Sequence, residues 1–291
     1  MRFLAFASDY DGTLAHNGKI DRQTLRALEQ LKRTGRKLIL VTGRELDELL
    51  ELFPQAAIFD CIVAENGALL YWPLPGKPVS ISMTKNTPRT EAGRGGKTTG
   101  SNPGAKAKSG VTARPGTTAK PESKTKSGTK ARLSGTITAT GKPGRLETLT
   151  DPPAPEFVAH LRQKRVTPLS VGHSIVATSL KHKRTVVSTI LEMDLDLHVI
   201  LNKDAIMVLP TGVTKGTGLR VALDELGIAP HNVVAVGDAE NDDSLLSMCG
   251  FSVAVANAIP ALKRRAHKTT KQEHGAGVVE IIEQIMRSDR G

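Results

Sequence analysis

Two aspartates in Asp9-Tyr10-Asp11-Gly12-Thr13-Leu14 stand two positions apart. In extended backbone such residues point the same way, so both carboxylates can address one site. Carboxylates held that close repel, and a proton, a cation or separation must relieve them. Gly12 lets the backbone turn sharply directly after the pair. A plain Asp-Gly turn with solvated carboxylates would use the same residues, so this motif needs company.

Three further groups supply it. Thr42-Gly43-Arg44 offers a hydroxyl and free backbone N–H groups where a strand gives way to a helix, an arrangement that receives anions; an ordinary turn is the competing reading. Lys215 opens a helix in TKGTGL, where the macrodipole disfavours a cation, which points to a functional reason against a merely solvated lysine. Gly237-Asp238-Ala239-Glu240-Asn241-Asp242-Asp243 sets four acidic residues within six positions. Such a run suits a hard cation: Mg²⁺ takes a few carboxylates together with water and phosphate oxygens. An acidic first helical turn would account for Asp242 and Asp243 but not for Asp238, which follows a buried strand directly.

Each group sits at the end of an apolar run, and those runs dictate the scaffold. Residues 3–7, 37–41, 58–64, 233–236 and 252–256 read as buried strands. Between them lie helices at 22–34, capped by Asp21 and stopped by Gly35, and at 45–52, 215–226, 242–249 and 258–266, with a last one at 277–287. Strands alternating with helices predict βαβ units, and ligands of such sheets bind beyond the carboxyl ends of the strands. A second rhythm occupies 151–212: helices 154–165 and 181–193, and strands 174–179, 197–201 and 205–209. The expected fold is α/β, a Rossmann-like parallel-sheet core built from 1–83 and 213–291 with a smaller α/β cap domain, 151–212, inserted.

Residues 84–150 break the pattern. They hold no Phe, Tyr, Trp, Cys or Met, and 14 Lys and Arg against 3 Asp and Glu. The net charge of +11 belongs to this segment, because the remainder is balanced at 26 against 26. Such a composition buries too little apolar surface to offset the ordering cost, about 1–2 kcal/mol per residue, and predicts disorder. It could bind nucleic acid electrostatically and salt-sensitively, without aromatic residues to stack on bases. Gly96-Lys97-Thr98 is no phosphate-binding loop, since Glu91 stands where its first glycine is needed and no strand precedes it. Cys61 and Cys249 lie in apolar stretches and read as buried thiols, which suits a reducing cytoplasm. No run approaches the roughly 18 apolar residues of a membrane span, and the expectation is a cytoplasmic protein without membrane contact.

In order and spacing the four groups resemble the haloacid dehalogenase superfamily, and VAENGALLY, PTGVTKGTGL and VGDAENDDSLL are similar to its Cof-type branch, whose cap is inserted between the second and third motifs. The resemblance covers both core halves. It implies that Asp9 attacks phosphorus as a covalent nucleophile and that Asp11 acts as general acid and base. It implies Mg²⁺ held by Asp9, the Asp11 backbone carbonyl and Asp238, with Asp242 in support. Thr42, Gly43 and Lys215 would hold the phosphoryl oxygens, and Asn241 would orient Lys215 or the phosphate. Arg44, Asn66, His173, Lys181, Arg184 and Lys203 are candidates to face the cleft. The implied activity is a phosphatase on a small phosphate monoester, such as a sugar phosphate or phosphoglycolate. A phosphomutase shares the Asp9/Asp11 pattern, and a nucleic-acid-tethered module using 84–150 is the alternative of another class. The low-complexity stretch stands where the family's cap would begin.

Overall fold

The computed structural model describes residues 3–74, 133–136 and 144–289. The first half of the core runs β1 (Ala5–Asp9), α1 (Arg22–Arg33), β2 (Lys37–Val41), α2 (Leu46–Leu52), β3 (Cys61–Ala64) and β4 (Leu69–Pro73). Strand β1 is buried along its length and apolar up to Ser8 and Asp9, as suits a central parallel strand covered on both faces. Helix α1 starts where the Asp21 side chain accepts from the Thr24 N–H at 2.9 Å, and buries Leu28 and Leu31.

After β5 (Leu133–Thr136) and β6 (Gly144–Thr148) the chain enters the cap: α3 (Pro155–Gln163), β7 (Leu169–Val171), β8 (Val176–Ser179), α4 (Lys183–Glu192), β9 (Leu197–Asn202) and β10 (Ala205–Pro210). It returns to the core through α5 (Lys215–Leu226), β11 (Val233–Gly237), α6 (Asp243–Met248), β12 (Phe251–Ala254), α7 (Pro260–Arg265), β13 (Lys268–Thr269) and α8 (His274–Ser288).

The core sheet has the order β13-β12-β11-β1-β2-β3-β4-β6-β5. It is parallel from β13 to β3 and antiparallel beyond. Asp9, at the end of β1, and Gly237, at the end of β11, thus lie on adjacent strands, and β1 and β11 run in register from Ala5↔Val233 to Ser8↔Val236. The cap is a four-stranded antiparallel sheet, β7-β8-β10-β9. One of its faces packs Val176, Ile206 and Val208 on Phe157, Leu161, Val186 and Ile190 of α3 and α4. Ile175, Met207 and Leu209 form a separate apolar cluster with Ala68 of the core.

The expected α/β class and the parallel core sheet are present. One expectation needs correction: residues 144–148, assigned to an unstructured segment, form β6. It pairs with β4 from Leu69↔Thr148 to Pro73↔Gly144, and buries Leu146. Composition averaged over 84–150 hid a five-residue strand whose apolar content is one leucine. Residues 133–136 pair with β6 as well. The rest of 84–150 lies outside the described residues. Strand β7 also went unread, because Leu169-Ser170-Val171 is too short a run to stand out. No helix among the described residues is long and apolar enough to cross a membrane. Cys61 and Cys249 are buried and unpaired, as expected.

Candidate active site

Strand ends gather the acidic residues. Asp9 is buried where β1 stops. Asp238 follows β11, and Asp242 curls back so that its Oδ2 accepts from the Asp238 and Ala239 N–H groups at 2.9 and 3.0 Å. One oxygen from each of Asp9, Asp238 and Asp242 falls within 4.8 Å of the other two. Burial, and then the charge of Asp242, push the carboxyls of Asp9 and Asp238 above the usual carboxylate range.

Two lysines answer this charge from opposite sides. Lys215, the first residue of α5, is itself buried, and its Nζ donates to Asp9 Oδ1 at 2.5 Å and to Asp242 Oδ1 at 2.7 Å. Burial works against its charge, but Asp242 and Asp9 outweigh it and hold its pKa above the ordinary lysine value. These carboxylates resolve the conflict between a cation and a helix N-terminus. The helix is fixed by a reciprocal cap: Thr217 N–H donates to Thr214 Oγ1 (3.1 Å) and Thr214 N–H to Thr217 Oγ1 (2.8 Å). Lys203 arrives from the cap, at the turn between β9 and β10, and donates to Asp238 Oδ2 at 2.7 Å. Thr13 Oγ1 donates to Asp238 Oδ1 at 2.9 Å.

A divalent cation fits this donor set. Asp9 Oδ2 is buried and accepts no hydrogen bond from the described residues, which leaves a carboxylate oxygen free in a site where desolvation makes such an oxygen costly. Asp238 has both oxygens engaged, by Lys203 and Thr13, and so has Asp242, by Lys215 and two backbone N–H groups. The Asp11 side chain is outside this group. Its Oδ2 and Oδ1 accept from Arg44 Nε (2.6 Å) and Nη2 (2.8 Å), a bidentate pair, and Arg44 also bonds Glu48.

Gly12 makes the approach possible. Its φ is +85°, and a Cβ there would come within 2.3 Å of Asp238 Oδ2 and 2.7 Å of Lys203 Nζ. Its carbonyl accepts from Asn257 Nδ2 at 2.8 Å and faces His274 Nδ1 at 2.8 Å. These last two supports were not readable, since 245 and 262 residues separate them from Gly12. Thr13 stood inside the first motif, and its reach to Asp238 follows only from the fold.

Thr42 is buried after β2, and its Oγ1 accepts from the Arg44 N–H at 3.1 Å. The Asn66 N–H donates to the Thr42 carbonyl at 2.9 Å. Asn241 Nδ2 donates to Asn66 Oδ1 at 3.1 Å, while Asn66 Nδ2 and Asn241 Oδ1, both buried, have no partner among the described residues. Asn241 therefore meets Asn66, and the groups on Lys215 are Asp9 and Asp242.

Asp9, Asp11, Gly43, Arg44, Lys203 and Asn241 share a cavity of about 560 Å³. Its cap wall carries Ser170, Thr178, Ser179, Asn202 and Asp204 beside the apolar Ile175, Ala177 and Met207. His173 lines a second, smaller cavity with Glu45 and Asp47. Lys181 and Arg184 line neither and are exposed.

Residues 6–80 and 178–282 match the model of the haloacid dehalogenase-like hydrolases. A phosphoglycolate phosphatase from Methanothermobacter thermautotrophicus is 40% identical over 93 residues, 32% of this chain and 42% of that protein. Phosphoglycolate phosphatase 2 from Saccharolobus solfataricus is 41% identical over 91 residues, 31% of this chain and 39% of that protein. The chain thus matches about two fifths of the length of these relatives. Among solved structures, a haloacid dehalogenase-like hydrolase from Bacteroides thetaiotaomicron superposes with a TM-score of 0.62 at 16% identity, covering 98% of this chain and all of that one.

Proposed function

Because the chain belongs to the haloacid dehalogenase-like hydrolases, we propose that it is a Mg²⁺-dependent phosphatase acting on a small phosphate monoester through an aspartyl-phosphate on Asp9. The observation that carries this reading is the buried Asp9, with Lys215 on one oxygen and the other oxygen free, at the floor of a cavity walled by the cap.

In the first step one Asp9 oxygen attacks phosphorus, its other oxygen being left to the cation; the bond to the leaving oxygen breaks, and that oxygen takes a proton from Asp11. In the second step water attacks phosphorus and gives a proton to Asp11, and the bond to Asp9 breaks to release phosphate. Asp11 must leave Arg44 to reach the leaving oxygen, and Arg44 holds it at the cavity until then. Lys215, Thr42 and the Gly43 backbone offer positive charge and donors where the phosphoryl oxygens would sit. Asp9 and Asp238 would hold the cation, with Asp242 in support and the Asp11 backbone carbonyl as a further ligand. Bound there, the ion supplies charge stabilisation for the phosphoryl group.

The cavity suits a leaving group of a few carbons. Hydroxyl and amide groups of Ser170, Thr178, Ser179 and Asn202 line its cap wall and match the hydrogen bonding of a sugar or a hydroxy acid. The phosphoglycolate phosphatases named above support the second class, so phosphoglycolate and sugar phosphates are the first compounds to try. Phosphate release from such a panel should require Mg²⁺ and stop with EDTA. Asp9→Asn should lower turnover by at least about 10³-fold with the fold intact; retained turnover would sink the mechanism.

A further inference from the structure

Glu65 follows β3 in the core and is fully buried, yet it touches none of the reacting groups and does not line the cavity. The hydrogen bonds of its carboxylate run to the cap. Oε1 accepts from the His173 N–H at 2.9 Å and faces His173 Nδ1 at 3.1 Å. Oε2 accepts from the N–H groups of Ser174 (2.6 Å) and Ile175 (3.1 Å). Three successive backbone donors of one cap loop thus converge on a single core carboxylate, a nest for an anion filled from within the chain. The loop is fitted to it: a Cβ on Gly172 would stand 2.9 Å from Glu65 Oε1.

What the loop leads into matters more. Ile175, Ala177, Thr178 and Ser179, at and just before β8, form part of the cavity wall that faces Asp9. On the core side, the Glu65 N–H donates to the Arg44 carbonyl at 3.0 Å and the Asn66 N–H to the Thr42 carbonyl at 2.9 Å. Backbone φ values of +49°, +56° and +107° at Glu65, Asn66 and Gly67 hold this segment in an unusual left-handed run. One residue therefore ties the loop that carries Thr42 and Arg44 to the strand that carries the cap wall.

The geometry points to Glu65 as a positioning residue: it sets the register of the cap wall over Asp9 and so selects the leaving group. The selectivity half rests on the phosphatase reading; the docking half does not.

Both halves are tested in the full chain with Glu65→Ala and Gly172→Ala, the second pushing a methyl against the carboxylate while keeping it. Backbone hydrogen exchange should accelerate at least about tenfold at 173–175 in Glu65→Ala, with β1 and β11 as protected as in the wild type. Should Glu65→Ala fail to fold, Gly172→Ala carries the same expectation. KM for the preferred substrate of the panel should rise about tenfold, while kcat on p-nitrophenyl phosphate stays within about threefold. Unchanged exchange at 173–175 overturns the docking, and a fall in kcat on every substrate with KM unchanged overturns the selectivity. A wild type that hydrolyses nothing sinks the phosphatase reading, and exchange alone then decides the role of Glu65.

Discussion

Lys215 and Lys203 balance one acidic floor but differ in what they can be spared. Lys215 is sealed between Asp9 and Asp242. Replacing it with Met leaves buried carboxylates uncompensated, and Lys215→Met should cost about 3–5 kcal/mol in the absence of metal, measured by urea unfolding. Saturating Mg²⁺ should restore part of that stability. Lys203 is half-exposed and enters from the cap, where it meets the same Asp238 that a cation would use. Unit charges 4 Å apart repel by about 1–4 kcal/mol between water and a protein surface. Lys203→Met should therefore tighten Mg²⁺ binding at least about tenfold by calorimetry; weaker binding would mean that Lys203 assists the metal. His173 adds a pH signature. Its hydrogen bond to Glu65 raises its pKa above the ordinary 6.5 against the effect of burial, and Asp47 and Glu45 add to the rise. A raised folded value means that the stabilisation is complete below about pH 6.5 and fades as the pH climbs through the raised value. The Tm gap between wild type and His173→Asn should accordingly be constant below about pH 6.5 and narrow above it.

Among the elements, four junctions that follow strands carry the candidate site, and the apolar runs before Asp9, Thr42, Asn66 and Asp238 made those junctions legible. Helix α5 has the bounds expected for it, 215–226, and the structure shows Thr214 capping it and Gly227 stopping it in the left-handed conformation. Strands β4 and β6 were not legible, since each earns its place through the other: Tyr71 lies opposite Leu146, a partner that no local pattern announces. The same holds for Glu65, which stood in the motif VAENGALLY as an unremarked acidic residue. Its partners belong to a loop more than a hundred positions away. Gly67 is the point where two junctions meet. A Cβ there would fall 1.9 Å from the Thr214 carbonyl, at φ +107°. Gly67→Ala must displace the start of α5, and a destabilisation of about 3 kcal/mol or more is expected in chemical unfolding, with Lys215 drawn away from Asp9.

For the molecule as a whole, the pairing of Pro73 with Gly144 is the feature with the widest reach. Adjacent strands lie about 5 Å apart, so β4 ends and β6 begins at almost the same point, although β5, within the intervening chain, is also paired in the sheet. Closing a gap that short costs little however much chain is threaded through it, about 0.6 kcal/mol per doubling. Replacing 75–143 by Asn-Gly should join β4 to β6 as a hairpin and leave a nearly neutral protein. Its Tm should stay within about 5 °C of the parent in a thermal melt; a larger drop would show that the removed residues, β5 included, brace the core. Seen this way, the junction between β4 and β6 is a splice port. Foreign cargo, whether an epitope, a fluorescent reporter or a whole domain whose own termini lie close together, can be carried there without asking the catalytic half of the protein to refold around it.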